Sequence, residues 1–232
     1  MRQAGPALRI AVVVPTLDEE EAVSRLLGDA GRHADELVVS DGGSVDGTRE
    51  VAAATGARVV TGARGRGGQL NRGAAAARGD VLVFLHADTR LPEGAAEAIR
   101  GAVAAGAVGG GFLVRFDDER WVMRLGARLI NLRTRLTRLP LGDQAQFATR
   151  EAFERLGGFA DWPVLEDLDF MRRLGRVGRV EVLRPRVVTA ARRFNAGGPV
   201  RTVARNWLIW LLYLLGVPPP RLARLYRDVR CL

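Results

Sequence analysis

Four short runs gather chemistry-bearing side chains at spacings a folded chain could use. In Val83-Phe84-Leu85-His86-Ala87-Asp88-Thr89 an apolar stretch ends in two potential ligands, His86 and Asp88. Such a pair at a strand end suits a divalent cation that bridges a diphosphate. In Leu165-Glu166-Asp167-Leu168-Asp169 the carboxylates fall at a helix start. There the helix dipole favours the ionised form, as a proton acceptor working at neutral pH requires. Asp169 stands four residues before Arg173 and is expected to pair with it. The run Ser40-Asp41-Gly42-Gly43-Ser44 sets an acid before two glycines. Glycine lets the backbone approach a flat base or ribose, whose N–H or hydroxyl the Asp41 carboxylate could accept. Asp46, a little further on, is expected to cap the next helix. Finally, Arg64-Gly65-Arg66-Gly67-Gly68-Gln69-Leu70-Asn71 offers glycines and arginines entering a helix, a candidate phosphate cradle. It has neither the dinucleotide glycine spacing nor the Walker lysine, and a solvated loop is its alternative reading.

These runs need a frame that brings them to one edge. Short β-branched runs at Ile10–Val14, Glu36–Ser40, Arg58–Thr61 and Val81–His86 alternate with helical spacing at Glu19–Ala30, Asp46–Thr55 and Gly68–Ala77. That alternation predicts an α/β fold, a Rossmann-like, mostly parallel sheet flanked by helices. Ligands of such sheets bind beyond the carboxyl ends of the strands, where the polar clusters Pro15–Glu21, Asp41–Asp46 and His86–Thr89 fall. The second half predicts a strand over Gly109–Phe116 and a long Arg-rich helix over Glu119–Leu136. A short strand over Gln144–Ala148, a helix over Arg150–Leu156 and another opening near Glu166 follow.

Composition narrows the function classes. With 47% hydrophobic and 26% charged residues, the chain of 232 residues can bury a core, so disorder is excluded for its bulk. The net charge of +9 favours anionic partners. The arginines are spread through helices and not gathered into a tail with interleaved aromatics, which argues against nucleic acid. The single cysteine, Cys231, allows no intrachain disulfide and no zinc spacing, so a reducing, cytoplasmic setting is expected. The opening Met1–Pro15 has too short an apolar stretch for a signal peptide, and that stretch, Ile10–Val14, reads as a buried strand.

In this order the motifs resemble the family 2 glycosyltransferases with the GT-A fold. The opening Pro15-Thr16-Leu17-Asp18-Glu19-Glu20 resembles the first-strand signature of that family. Asp41-Gly42-Gly43-Ser44-Val45-Asp46-Gly47-Thr48 and His86-Ala87-Asp88-Thr89 are similar to those of a small bacterial branch. The likeness implies an enzyme that moves a sugar from a nucleoside-diphosphate sugar to an acceptor hydroxyl with inversion. It implies Mg²⁺ or Mn²⁺ as cofactor, held by Asp88 with His86 in place of the first acid of the usual pair. It implies a base pocket from Asp41, Pro15 and Glu19, with Gly42 where a second acid usually stands. By the same likeness Asp167 is the general base, Glu166 orients it, and Gly157-Gly158-Phe159 lies near the acceptor. Arg64, Arg66, Gln69 and Asn71 belong to the donor-binding set, and Arg193, after the last strand, is expected to reach the diphosphate. Should Asp167 not serve, Glu166, Asp143 and Asp161 are the next bases.

The run Asn206–Val217 is too short to span a bilayer, which needs about 20 apolar residues. It is expected either as a core helix or as an interfacial helix, with Trp207, Trp210 and Tyr213 at lipid headgroups and Arg201, Arg205, Arg221, Arg224, Arg227 and Arg230 beside them. The chain is thus expected as a transferase domain over 1–200 and a helical extension over 201–232, possible partners being a membrane surface and a lipid-linked acceptor. Two other readings stay open, a sugar nucleotidyltransferase and a nucleotide-sugar or lipid-surface binding protein without catalysis.

Overall fold

A computed structural model describes residues 8–191 and 198–226. Eight strands form one sheet in the order β3-β2-β1-β4-β7-β6-β8-β5. Strands β1 (Ile10–Thr16), β2 (Glu36–Asp41), β3 (Arg58–Thr61) and β4 (Val81–Phe84) run parallel, as the alternation predicts. Beyond β4 the sheet becomes mixed. Strand β7 (Gln146–Thr149) is antiparallel to β4 and to β6 (Ala107–Phe116), while β8 (Arg179–Thr189) runs parallel to β6. The two-residue β5 (Thr89–Arg90) pairs antiparallel with the end of β8, and Thr89 Oγ1 donates to Thr189 Oγ1 at 3.0 Å. That pairing ties the loop carrying His86 and Asp88 to the end of a second strand.

Each face of the sheet is covered. Alternate residues of β1 and β4, such as Val12, Val14 and Val83, pack with α1 (Glu20–Ala30) and α4 (Ala95–Ala104). The other face, with Val13, Leu82 and Phe84, meets α3 (Arg66–Ala76), α6 (Arg150–Leu156) and α7 (Glu166–Val177). The small α2 (Thr48–Ala54) follows β2. Neither α4 nor the range of β8 is marked in the sequence reading: α4 is rich in alanine, and β8 is interrupted by Arg184 and Pro185, where its pairing with β6 shifts register. The Arg-rich helix is present as α5 (Trp121–Thr137). It is clamped to β6 by Asn131, which accepts from Val114 N–H at 2.8 Å and donates to Val114 C=O at 2.9 Å.

The C-terminal region forms α8 (Pro199–Leu214) and α9 (Pro219–Tyr226). The expected boundary at residue 200 therefore falls inside α8. Ile209 and Leu222 are buried against Val164, so one face of α8 belongs to a core while Trp207, Leu208, Leu211 and Leu214 stay exposed. Arg172 stacks its guanidinium over Tyr213 at 5.3 Å. Among the described residues no helix is long and apolar enough to cross a membrane.

Candidate active site

The loops at the carboxyl ends of β1 and β2 are stitched together by backbone-to-side-chain bonds. Asp18, in the left-handed region at φ 52°, donates its N–H to Ser44 Oγ at 2.9 Å and accepts from Val45 N–H at 2.9 Å. Glu19 N–H donates to Thr48 Oγ1 at 2.9 Å, and Pro15 and Glu19 are both half-buried. Asp46 accepts from the N–H groups of Glu20 and Thr48, so it serves the first turns of α1 and α2 together, one residue before the formal cap Gly47.

Asp41 has no exposed surface. Its Oδ1 accepts from Gly43 N–H and Ser44 N–H, each at 2.9 Å; its Oδ2 accepts from Thr16 Oγ1 at 3.1 Å and from the Ser44 hydroxyl. Burial alone would raise its pKa, yet the bonds from Ser44, Gly43 and Thr16 outweigh it and hold the carboxyl below the ordinary range. A carboxylate offers about four lone-pair directions, and all are filled from within the chain. In this structure the Asp41 carboxylate organises the loop, where the expectation was that it reads a base. The sequence cannot show this, because an acid before Gly-Gly looks the same whether its oxygens face in or out.

Gln69 and Asn71, expected in the donor-binding set, bond to the backbone of neighbouring segments. Gln69 Nε2 donates to Thr16 C=O at 2.7 Å and to Ser40 C=O at 3.1 Å, and its Oε1 accepts from Gly65 N–H at 3.3 Å. This amide explains Gly42, because a Cβ there would stand 2.9 Å from Gln69 Nε2. Asn71 exchanges two bonds with the Phe159 backbone, at 2.9 and 2.8 Å, and so latches α3 to the turn after α6. Phe159 itself is buried in a ring cluster, 4.3 Å from Phe170 and 4.7 Å from Phe84. Gly158 and Phe159 are buried while Gly157 is exposed, and none of the three lines the cavity described next. Arg64 is exposed on the loop before α3. Arg193 lies outside the described residues, as do Arg227 and Arg230.

The remaining candidates converge. A cavity of about 190 Å³ opens beyond the carboxyl end of β4, with Arg66, His86, Asp88, Arg133, Asp143 and Asp167 among its lining groups. Asp167, at the second position of α7, is half-buried and held by two backbone donors, Gly142 N–H to Oδ2 and its neighbour Leu168 N–H to Oδ1, each at 2.8 Å. Gly142 is a fit imposed by two side chains: a Cβ there would lie 2.7 Å from His86 Nε2 and 3.2 Å from Asp167 Oδ2. Glu166, expected to orient Asp167, has its ion pair with an arginine. It is buried and ion-paired through Oε1 with Arg66 Nε, which fixes the arginine at the cavity wall. Asp169 pairs with Arg173 at 2.7 Å, as its spacing predicts.

Of two further wall residues, Asp143 is expected from sequence only as a reserve base, and Arg133 carries no sequence signal that places it here. Asp143 sits in the 3-10 turn Gly142–Gln144 ahead of β7. Burial pushes its carboxyl up; Arg133 opposes this, while Asp167 and Asp88 add to it. Arg133 is the one α5 arginine at the cavity: it donates to Gln144 Oε1 at 3.1 Å, and burial lowers its pKa against the pull of Asp143 and Asp167. The outer wall is apolar, with Ile130, Val164, Leu165, Ile209, Trp207 and Trp210. Asp161, the other reserve base, is exposed away from this lining.

The donor set suits a hard cation, since the carboxyls of Asp88, Asp143 and Asp167 face one space and repel each other there. Among the described residues no three His, Cys, Asp or Glu side chains are placed to hold a metal by themselves. Further ligands would have to come with the substrate, as when a diphosphate completes the shell.

Residues 11–157 match the family model described as Glycosyl transferase family 2. The chain belongs to that family. A glucosyl-3-phosphoglycerate synthase of Mycolicibacterium paratuberculosis (strain ATCC BAA-968 / K-10) is 39% identical over 96 residues, 36% of this chain and 29% of that relative. The chain thus spans under a third of that protein's length. An uncharacterized glycosyltransferase of Mycobacterium bovis is 35% identical over 159 residues, covering 64% of this chain and 71% of its own. Among solved structures, glucosyl-3-phosphoglycerate synthase from Mycobacterium tuberculosis with Mn²⁺, UDP and glucosyl-3-phosphoglycerate superposes with a TM-score of 0.63. That match has 26% identity and covers 91% of this chain and 81% of the other. The same enzyme with Mn²⁺, UDP-glucose and phosphoglyceric acid gives 0.62 at 26% identity, again over 91% and 81%. The family 2 chain described here therefore has the GT-A fold.

Proposed function

We propose that this family 2 protein transfers a glycosyl unit from a nucleoside-diphosphate sugar to an acceptor hydroxyl, with inversion at the anomeric carbon. The observation that carries the reading is Asp167. Its carboxylate lines the cavity, is fixed by two N–H donors, and keeps about half of its lone-pair directions for a proton. In the reaction the acceptor oxygen bonds to the anomeric carbon, the bond from that carbon to the diphosphate oxygen breaks, and the acceptor proton passes to Asp167. Arg66, anchored by Glu166, faces the leaving diphosphate, and Asp88 with His86 would hold a divalent ion, Mg²⁺ or Mn²⁺. When bound, that ion neutralises charge building on the leaving nucleotide. UDP-glucose is the first donor to try, since structural neighbours bind it with Mn²⁺.

The acceptor is proposed to be lipid-linked. The apolar outer wall with Trp207 and Trp210 suits an acceptor with an apolar part, while Arg133 and Asp143 suit a polar head. A peripheral position on the cytoplasmic face of a membrane follows from that reading. The test is release of UDP from UDP-glucose with Mn²⁺ across soluble and lipid-linked acceptors. Asp167→Asn should keep donor affinity and lower turnover about a hundred- to ten-thousandfold. Full activity in that variant would move the base elsewhere, Asp143 first.

A further inference from the structure

The surface of α5 divides into four stripes. Met123, Ala127, Asn131 and Thr134 are buried on the sheet, and Ile130 and Arg133 face the cavity. Trp121, Leu125, Leu129, Leu132 and Leu136 follow at spacings of four, four, three and four residues, within an arc of roughly 80° at 3.6 residues per turn. All five are exposed, Trp121 at 71% and Leu136 at 77%. Arg124, Arg128 and Arg135, also exposed, flank this stripe on the side away from the cavity. An apolar stripe of this length on one helix is more than scattered surface leucine and marks an interaction surface. Next to it α8 repeats the arrangement: Trp207 lines the cavity and is exposed, and Leu208, Leu211 and Leu214 continue outward.

Charge decides the occupant. Neither α5, α8 nor α9 contains a single Asp or Glu, while their described exposed arginines include Arg124, Arg128, Arg135, Arg201, Arg221 and Arg224. A second copy of the chain would bring arginines against arginines with no carboxylate from these helices to pair them. A bilayer with acidic headgroups accepts both features, leucines and tryptophans at the acyl boundary and arginines at the phosphates. We infer that α5 and α8 form an anionic-membrane docking surface bordering the active-site mouth, so that a lipid-linked acceptor enters from the bilayer between them. The inference deepens the transferase reading and rests on it for the acceptor, while the surface itself can be tested separately.

The test is sedimentation with phosphatidylcholine vesicles, with and without phosphatidylglycerol, for the wild type and for L125E/L132E. Both leucines are exposed, so the substitutions should leave the melting temperature and metal-dependent UDP binding unchanged. Expected are binding to the acidic vesicles only, release at high salt as charge is screened, and vesicle affinity at least about tenfold weaker in the variant. Equal binding of variant and wild type, or no binding to acidic vesicles, overturns the docking surface. So does a wild-type dimer that L125E/L132E separates, because the stripe is then covered by a second copy. A wild type that binds UDP but not acidic vesicles sinks docking alone. Vesicle binding without any UDP binding in the presence of Mn²⁺ sinks the transferase reading and leaves the surface standing.

Discussion

Two aspartates show how a side chain's bonding decides its work. Asp41 spends every oxygen direction on its own loop and on Thr16 of β1, whereas Asp167 is held firmly by two donors and left open to a third partner. Asp41→Ala should therefore act on stability, at about 1–3 kcal/mol for each buried donor left without its acceptor. Because the folded state lowers the Asp41 pKa, its contribution is present above the ordinary carboxylate value and lost as pH falls through the folded one. The melting-temperature gap between wild type and Asp41→Ala should be wide at pH 7 and close in strong acid; a gap independent of pH would contradict this. Asp143 has the opposite sign. Its raised pKa favours the folded state below the ordinary value, and that advantage fades as pH rises through the raised one. Asp143→Asn should thus raise the melting temperature near neutral pH and change it little at pH 4. A destabilised variant at pH 7 would show that the carboxylate is needed by its neighbours more than it is penalised by Asp88 and Asp167.

The elements repeat the lesson at larger size. The four parallel strands and the helices after β1, β2 and β3 were legible because their apolar periods are strong, and their ends agree with the expected runs to within a few residues. The candidate site was legible where function and fold demand different things of a residue, at His86, Asp88 and Asp167, which gather in one cavity. It was illegible where a polar residue could equally serve the backbone. Gln69 and Asn71 look like ligand contacts in sequence, yet they are staples that hold α3 to β1, β2 and the turn at Phe159. Arg133 was hidden among the arginines of α5, since only the docking of that helix on Asn131 tells which one turns inward. The staple reading has a direct check. Gln69→Ala removes the donor to two buried carbonyls and should lower unfolding free energy by about 1–3 kcal/mol per orphaned group, read as a shifted urea midpoint. A variant as stable as the wild type but weak in UDP binding would return Gln69 to the donor site.

For the whole molecule, the loop after β4 supplies His86 and Asp88, and the turn ahead of the antiparallel β7 supplies Asp143, with Gly142 donating to Asp167. α7 brings Asp167 and α8 closes the outside. Much of the site's charge is concentrated on one side: three carboxyls face the space where a cation and a diphosphate would meet. Folding alone leaves that repulsion in place, so ligands of opposite charge should stabilise the entire chain. A ligand at a hundred times its dissociation constant adds about 2.7 kcal/mol to stability. For a chain of this length each kcal/mol moves the melting temperature by about 2–4 °C, so UDP with Mn²⁺ should raise it by roughly 5–10 °C. Mn²⁺ alone should give a smaller rise, because the protein side chains provide too few ligands to hold it tightly. UDP with a chelator should give little, since the diphosphate then meets Asp88 and Asp167 uncompensated. In Asp88→Asn the increment that depends on metal should vanish while any effect of UDP alone persists. If instead UDP stabilises wild type and Asp88→Asn equally with and without Mn²⁺, the diphosphate is held by arginines alone, and the cation has no place at Asp88.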